Sequence, residues 1–414
     1  MGAAHRCLKV GRMKRKFVII GGGVAGLSAA IRLTELGEEP LLIEGGSYPA
    51  HKICGEFLSP ECLGYLKSWN IHPVAISQAI LNTQTSHFAF PFPTQAGGIS
   101  HLQLDPALAK YASECGAEIL TNTLVHSFQP KKQANDPHLI QLSTHETIEA
   151  LNVIIATGRY PNNSNKAPTM RYLGFKAHFE KIPVKDDALH MFFFPGAYLG
   201  ISPIEDNKFN VACLADLRLM DNTGSSAFIR HLVSQNPQLN SLLSEGKNLF
   251  NLKTAVQDNK VMQNFELESL SMEADHSQKV KAASIESDYG SKDCVNSLSS
   301  NAWMAASIPD FGMKQTPDWQ DAYFIGDAAV TVPPACGNGL SMAICGGRLA
   351  AEYSIGQQPS DFKAMWTKRC ASQLFWAKIL HKLMLTPSYG TPLMRLSCHF
   401  PFIAKTLFEL TRHP

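Results

Sequence analysis

The residues best placed to do chemistry in this 414-residue sequence are a set of glycines and two acids. Gly21, Gly23 and Gly26 stand in the spacing G-x-G-x-x-G, with Val24 and Ala25 between the last two. Gly21 permits a tight turn, Gly23 lets backbone approach a pyrophosphate, and Gly26 lets a helix pack closely on the preceding strand. That helix would offer N–H groups and its positive dipole end to the phosphates. Glu44 follows 18 residues after Gly26. A carboxylate there can accept hydrogen bonds from the adenosine ribose and disfavours a 2′-phosphate, which suits FAD or NAD better than NADP.

A second element, Gly326-Asp327, lies about 300 residues further on, followed by Pro333, Pro334 and the turn Gly337-Asn338-Gly339-Leu340. Asp327 can accept a hydrogen bond from a ribityl hydroxyl. The turn opens a helix and can aim N–H groups at the N1–C2=O edge of a reduced flavin. The two elements together select FAD.

These residues need elements to hold them. Phe17–Ile20 is a short apolar run that predicts a buried parallel strand, Val24–Leu36 a helix, and Pro40–Glu44 the next strand, a β-α-β unit. Asp105 reads as the N-cap of a helix to Cys115, with Pro106 at its first position. Strands are expected near 117–128, 138–143 and 153–156, then in a strand-rich region over about 172–215. A helix is expected near 225–235, a strand at Ala322, and two or three helices from Gly339 onward. Residues 255–300 are polar and Ser-rich and read as a surface insertion. The expected organisation is an α/β protein with a Rossmann-like FAD-binding domain of discontinuous segments (16–75, 99–170 and 318–358). A strand-rich substrate domain takes 76–98 and 171–317, and helices occupy 359–414.

With Gly21–Leu27, Glu44 and the Gly326–Leu340 stretch in place, the sequence resembles the para-hydroxybenzoate hydroxylase type of FAD-dependent oxidoreductase. That group includes aromatic monooxygenases, geranylgeranyl reductases and flavin halogenases. Lys52-Ile-Cys54-Gly55-Glu56-Phe-Leu-Ser59-Pro60 is similar to a stretch of its geranylgeranyl-reductase-like branch. The resemblance implies that Lys52, Cys54 and Gly55 lie beside the flavin and that Val125 and Gly158 border the cofactor. It also implies that Tyr198, Gly200 and Pro203 line a substrate cavity, with Gly200 where the family often carries Trp. Phe192 and Phe194 are assigned to the same cavity, with ordinary sheet core as the alternative for this aromatic run. His101 stands where an Arg usually contacts the FAD phosphate. Ala156-Thr157-Gly158-Arg159 lacks the acid of the Asp-Gly motif that helps place NADH or NADPH, the candidate electron donors. The halogenase W-x-W-x-I-P signature is absent. Cys54 reads either as a proton donor near the flavin or as a small packing residue.

Other chemistry is disfavoured. Lys plus Arg is 37 against 35 Asp plus Glu, a balance that argues against a dedicated nucleic-acid binder. Ten cysteines without a CxxC pair, and no HExxH, argue against a metal site or a disulfide framework and for reduced thiols in a cytoplasmic protein. No G-x-S-x-G elbow is present. The basic stretch before Phe17 reads as a disordered leader. From Phe375 to Arg412 aromatic and aliphatic residues mix with basic ones, which reads either as a membrane-surface helix pair or as helices packed on the FAD domain. The expected activity is monooxygenation of an apolar small molecule. The alternatives are isoprenoid double-bond reduction and flavin binding without turnover.

Overall fold

The computed structural model describes residues 13–82, 87–133, 136–159, 170–220, 225–250, 303–314 and 321–412. Residues 1–12 of the basic leader and the insertion at 255–300 fall outside them, while 13–16 of that leader belong to the first strand. The chain opens with β1 (Met13–Ile20), α1 (Val24–Glu35) and β2 (Leu41–Ile43). After β3 (Phe57–Leu58) and α2 (Leu63–Ser68) come β4 (Val74–Asn82), β5 (His87–Gly98) and α3 (His101–Glu114). Then follow β6 (Glu118–Leu120), β7 (Val125–Gln129), β8 (His138–Leu142) and β9 (Thr147–Ile155). The strand-rich region holds β10 (Met170–Glu180), β11 (Ala188–Phe194), β12 (Ala197–Ile204) and β13 (Lys208–Asp216). It continues with α4 (Ser225–Ser234), α5 (Pro237–Glu245), β14 (Lys247–Asn248), β15 (Met304–Pro309) and β16 (Gly312–Met313). The remainder is β17 (Ala322–Phe324), β18 (Val330–Thr331), α6 (Gly339–Ser354), α7 (Pro359–Leu385), α8 (Pro387–His399) and α9 (Pro401–Leu410).

Two sheets organise these elements. The first runs β6-β2-β1-β9-β8-β7, with β17 also paired to β9. Its β1–β2, β1–β9, β2–β6 and β9–β17 pairs are parallel. Parallel strands covered on both faces need apolar side chains on both. Along β1, Phe17 and Ile19 accordingly face one core with α1, while Val18 and Ile20 face another with β8 and β9. The second sheet runs β14-β10-β13-β12-β11-β4-β5-β3, with β15 on β10. Its period of two sets the faces. Phe192 and Phe194 point into a core with Phe228 and Ile229 of α4, while Met191 and Phe193 point to the opposite side with Tyr198.

Three expectations are corrected. β1 begins at Met13, four residues before the apolar run, because its basic start pairs in register with β9. The third helix begins at His101 with Ser100 as N-cap, so Asp105 is inside it and Pro106 is interior. Asp105 is 1% exposed, and its carboxylate serves an ion pair rather than a cap. Four helices, not two or three, run from α6 to α9; prolines at 359, 387 and 401 open α7, α8 and α9.

Candidate functional site

The turn between β1 and α1 is built around missing side chains. Gly21 has φ +105°, and a Cβ on Gly26 would stand 1.9 Å from the Gly21 carbonyl oxygen. Helix α1 starts on Gly23, with no side chain capping it. The Glu44 carboxylate, at the end of β2, accepts the Gly22 N–H at 2.5 Å and the Gly46 N–H at 2.8 Å. The Tyr48 hydroxyl donates to the Gly22 carbonyl at 2.6 Å. The turn is thus pre-shaped, with an acid fixed beside it. Lys52 Nζ stands 3.6 Å from where a Gly23 Cβ would be and 2.7 Å from Asp105 Oδ2. Lys52 is therefore the cation next to the phosphate turn. Val125 opens β7, beyond Thr123, whose N–H donates to the Glu44 carbonyl at 3.0 Å.

The second glycine element meets the first. β17 lies beside β9, and β9 beside β1. A Cβ on Gly326 (φ +58°) would stand 2.9 Å from the Ala25 Cβ. Asp327 is partly exposed and lies 3.6 Å from Arg159 Nε, while Arg159 Nη2 donates to the Ile53 carbonyl at 2.9 Å. Arg159, after Gly158, thus ties the Gly-Asp turn to the Lys52–Glu56 loop. Lys314 donates to the Arg159 carbonyl. Burial pushes the Lys314 ammonium down to about 8, with Arg159 adding to and Asp327 opposing the shift. Gly337 (φ +64°) packs against Phe57. Asn338 precedes α6 and spends its Nδ2 on the Thr411 carbonyl at 2.7 Å, while Leu340 is buried against the α1 core.

Between the two elements lies a charged network that the sequence reading did not assemble. Cys54 is half-buried and hydrogen bonds with His101, whose Nδ1 lies 2.9 Å from Asp105 Oδ1. Burial works against charge on each member, and the partners prevail. The Asp105 charge lifts His101 to about 9, His101 and Lys52 hold Asp105 at about 2, and the His101 bond pulls Cys54 below the usual thiol range. The titration belongs to the group rather than to any one residue. Next to it Glu56, fully buried with φ 53°, takes ion pairs from Lys176 and from His178 Nε2 (2.7 Å), and accepts the His101 N–H at 2.8 Å. Lys176 also donates to the Lys52 carbonyl at 3.1 Å. Lys176 and His178 alternate on β10 in an otherwise apolar run. That pattern was the available signal: polar residues two apart on a buried strand must face a partner.

A cavity of about 270 Å³ opens from this loop. Cys54, Gly55, Pro334 and Gly337 line it together with Leu380, Leu383, Met384, Leu407 and Phe408 of α7 and α9. Tyr198 and Gly200 are in its wall. Phe192, Phe194 and Pro203 are not: the first two face α4 across the sheet, and the alternation along β12 turns Pro203 away while Ser202 faces the cavity. Phe193 and Met191 take the places given to Phe192 and Phe194. His101 is also corrected. It is 5% exposed and committed to Asp105 and Cys54, while Lys52 is the cation nearer the glycine turn. A Cβ at Gly200 would press on the flexible Met191 sulfur, at 3.1 Å, and meet Leu189 Cδ1 and the His190 carbonyl oxygen at ordinary contact distances of 3.8 and 3.9 Å. Gly200→Trp should therefore fold and keep bound FAD yet fill the cavity, weakening apolar ligands roughly tenfold or more in titrations read by flavin absorbance. Unchanged ligand affinity would detach the cavity from ligand binding.

Among the described residues no cluster of His, Cys, Asp and Glu could hold a metal ion, and no helix is long and apolar enough to cross a membrane.

Comparisons with known proteins agree with this architecture. Residues 15–165 match the family described as pyridine nucleotide-disulphide oxidoreductase. A menaquinone reductase of Mycobacterium tuberculosis is 24% identical over 183 residues, 40% of this chain and 41% of the relative. The match thus spans well under half the length of that curated relative. A geranylgeranyl bacteriochlorophyll reductase-like protein from Thermoplasma acidophilum superposes with a TM-score of 0.64 at 14% identity, covering 97% of this chain and 100% of the other. The flavin-dependent brominase Bmp2 superposes with a TM-score of 0.70 at 14% identity, covering 96% and 93%. The chain has the Rossmann-type fold of FAD-dependent oxidoreductases.

Proposed function

We propose that this chain is an FAD-dependent reductase that saturates a double bond of an isoprenoid-like apolar substrate. The observation that carries this reading is the cavity. Cys54, Gly337 and residues of the last helices share its wall, and none of its described lining residues is a carboxylate. Such a wall suits a hydrocarbon chain. The likeness to a menaquinone reductase and to a geranylgeranyl-reductase-like protein supports the same substrate class.

The pre-shaped glycine turn, Glu44, Lys52 and Asp327 would hold FAD, whose bound, reduced form supplies a hydride equivalent. The chain's own residues do the rest. The cavity wall orients the chain and excludes water. Cys54 and His101 hold a proton between them at the cavity end, and Asp105 fixes the imidazole. Cys54 would give that proton to one alkene carbon, and His101 would reprotonate the sulfur. NADH or NADPH would be the electron donor. Phe375, Tyr389, Phe400 and Phe402 are exposed on α7–α9, with Lys378 and Lys382 also exposed on α7. Aromatic and basic residues together suit the surface of an anionic bilayer, from which an apolar substrate would enter.

Turnover should proceed anaerobically with dithionite as reductant, and the product should gain two hydrogens. A requirement for O₂ with gain of an oxygen atom would overturn the reading in favour of a monooxygenase. Cys54→Ala should lower single-turnover rates on the order of 10²-fold without releasing FAD. In the wild type the rate should fall as pH rises through about 9, where His101 loses its proton. A pH-independent rate would remove the Cys54–His101 pair from the chemistry.

A further inference from the structure

The cavity contains one charged group among its described lining residues, Arg412. It is 7% exposed, and its Nε and Nη1 are buried without a hydrogen-bond partner. The nearest carboxylate oxygen, Glu61 Oε2, lies 3.9 Å from Nη1, close enough to balance charge and too far for a hydrogen bond. Burial lowers the guanidinium below its ordinary value, with Glu61 acting against that shift. Its position is held from several sides. The guanidinium sits 4.0 Å from the Phe408 ring centroid, and the Arg412 N–H donates to the Glu409 carbonyl at 3.0 Å. The preceding Thr411 carbonyl accepts from Asn338 Nδ2 at 2.7 Å and Gln373 Nε2 at 3.1 Å.

Buried donors left without acceptors are costly and persist where a ligand supplies the acceptor. Glu61 already balances the charge, so a second anion would meet a carboxylate, whereas a neutral oxygen would not. We propose that Arg412 anchors a carbonyl oxygen of the substrate: the ligand is an apolar chain carrying a quinone-type head, with the head at Arg412. This rests on the reading of the cavity as the substrate site and adds the head group that site selects. Arg412 is a positioning residue, since it binds the head and leaves the proton to Cys54.

The test is ligand titration of the FAD-loaded full chain, read by flavin absorbance, with a prenylated naphthoquinone and with a C20 isoprenoid hydrocarbon, which carries no oxygen. Arg412→Met should weaken the quinone about 10- to 100-fold, the loss of a hydrogen bond from a charged donor. The hydrocarbon should move by less than about twofold, and FAD content should not change. Arg412→Gln keeps a donor and should restore part of the quinone affinity, which a packing defect would not allow. Equal weakening of both ligands, or loss of FAD in place of quinone, would overturn the anchor. Unchanged quinone binding in Arg412→Met would do the same while leaving the cavity reading intact. If the wild type binds neither ligand, the cavity reading and the anchor both fall.

Discussion

Gly26→Val should yield a protein that folds but purifies without bound FAD. Any Cβ at residue 26 would stand 1.9 Å from the Gly21 carbonyl oxygen and 3.2 Å from the Ala156 Cβ. The obstacle is backbone on the far side of the phosphate turn, so no rotamer relieves it. α1 must lift from the strand, and the turn that Glu44 and Tyr48 shape is lost with it. Lifting α1 loosens the core it shares with Phe17 and Ile19, whereas the core of Val18 and Ile20 with β8 and β9 does not depend on the turn, so far-UV circular dichroism should keep most of the wild-type signal. A milder replacement provides the control. Gly23 has open space in front of it apart from Lys52, so Gly23→Ala should weaken FAD rather than abolish it. Full retention of FAD by Gly26→Val would place the cofactor elsewhere.

Lys176→Met should cost about 3–5 kcal/mol of stability, because it leaves Glu56 buried with a lost counter-charge. Lys176 and Glu56 are both fully buried, and the same Glu56 carboxylate also binds His178 and the His101 N–H. Adding Glu56→Gln should lose less than the sum of the two single changes, since the uncompensated charge then disappears. The pH dependence has a fixed sign. Lys176, then His178, hold Glu56 at about 2 against burial, below its ordinary 4.5. Its contribution is therefore present above about 4.5 and lost as pH falls from there toward 2. Asp105, also held at about 2, adds loss in the same window. His101, raised to about 9, acts oppositely: its contribution is complete below 6.5 and fades as pH rises through 9. Urea midpoints measured across these ranges should show both losses in the wild type, and Lys176→Met should flatten the acidic one.

The sequence made the cofactor end of this molecule legible because that end depends on what is missing. Glycines at fixed spacing and an acid at the next strand end can be read from letters alone, and the structure brings Gly326 against Ala25 as two halves of one cleft would require. The cavity was harder to read. Three consecutive phenylalanines cannot share a face in a strand, and choosing 193 over 192 and 194 needed the register of β11 against β12. The Pro106 signal misplaced the start of α3 because proline usually marks a first turn, whereas here Ser100 holds that place and Asp105 is drawn inward by Lys52 and His101. The Glu56–Lys176 pair joins residues 120 apart in sequence, and only the β10 alternation hinted at it. Arg412 carried no local signal. It gains its place from α9 folding back so that Thr411 meets Asn338.

The claim beneath all of this is that the N-terminal glycine turn and the Gly326–Asp327 turn hold opposite ends of a single FAD. Titration of the flavin-stripped protein with FAD tests it most directly, comparing the wild type with Glu44→Ala at one end and Asp327→Ala at the other. One FAD should bind per chain, and both variants should weaken that same site. A wild type that takes up no FAD, or an Asp327→Ala variant that binds it as tightly as the wild type, would contradict the account.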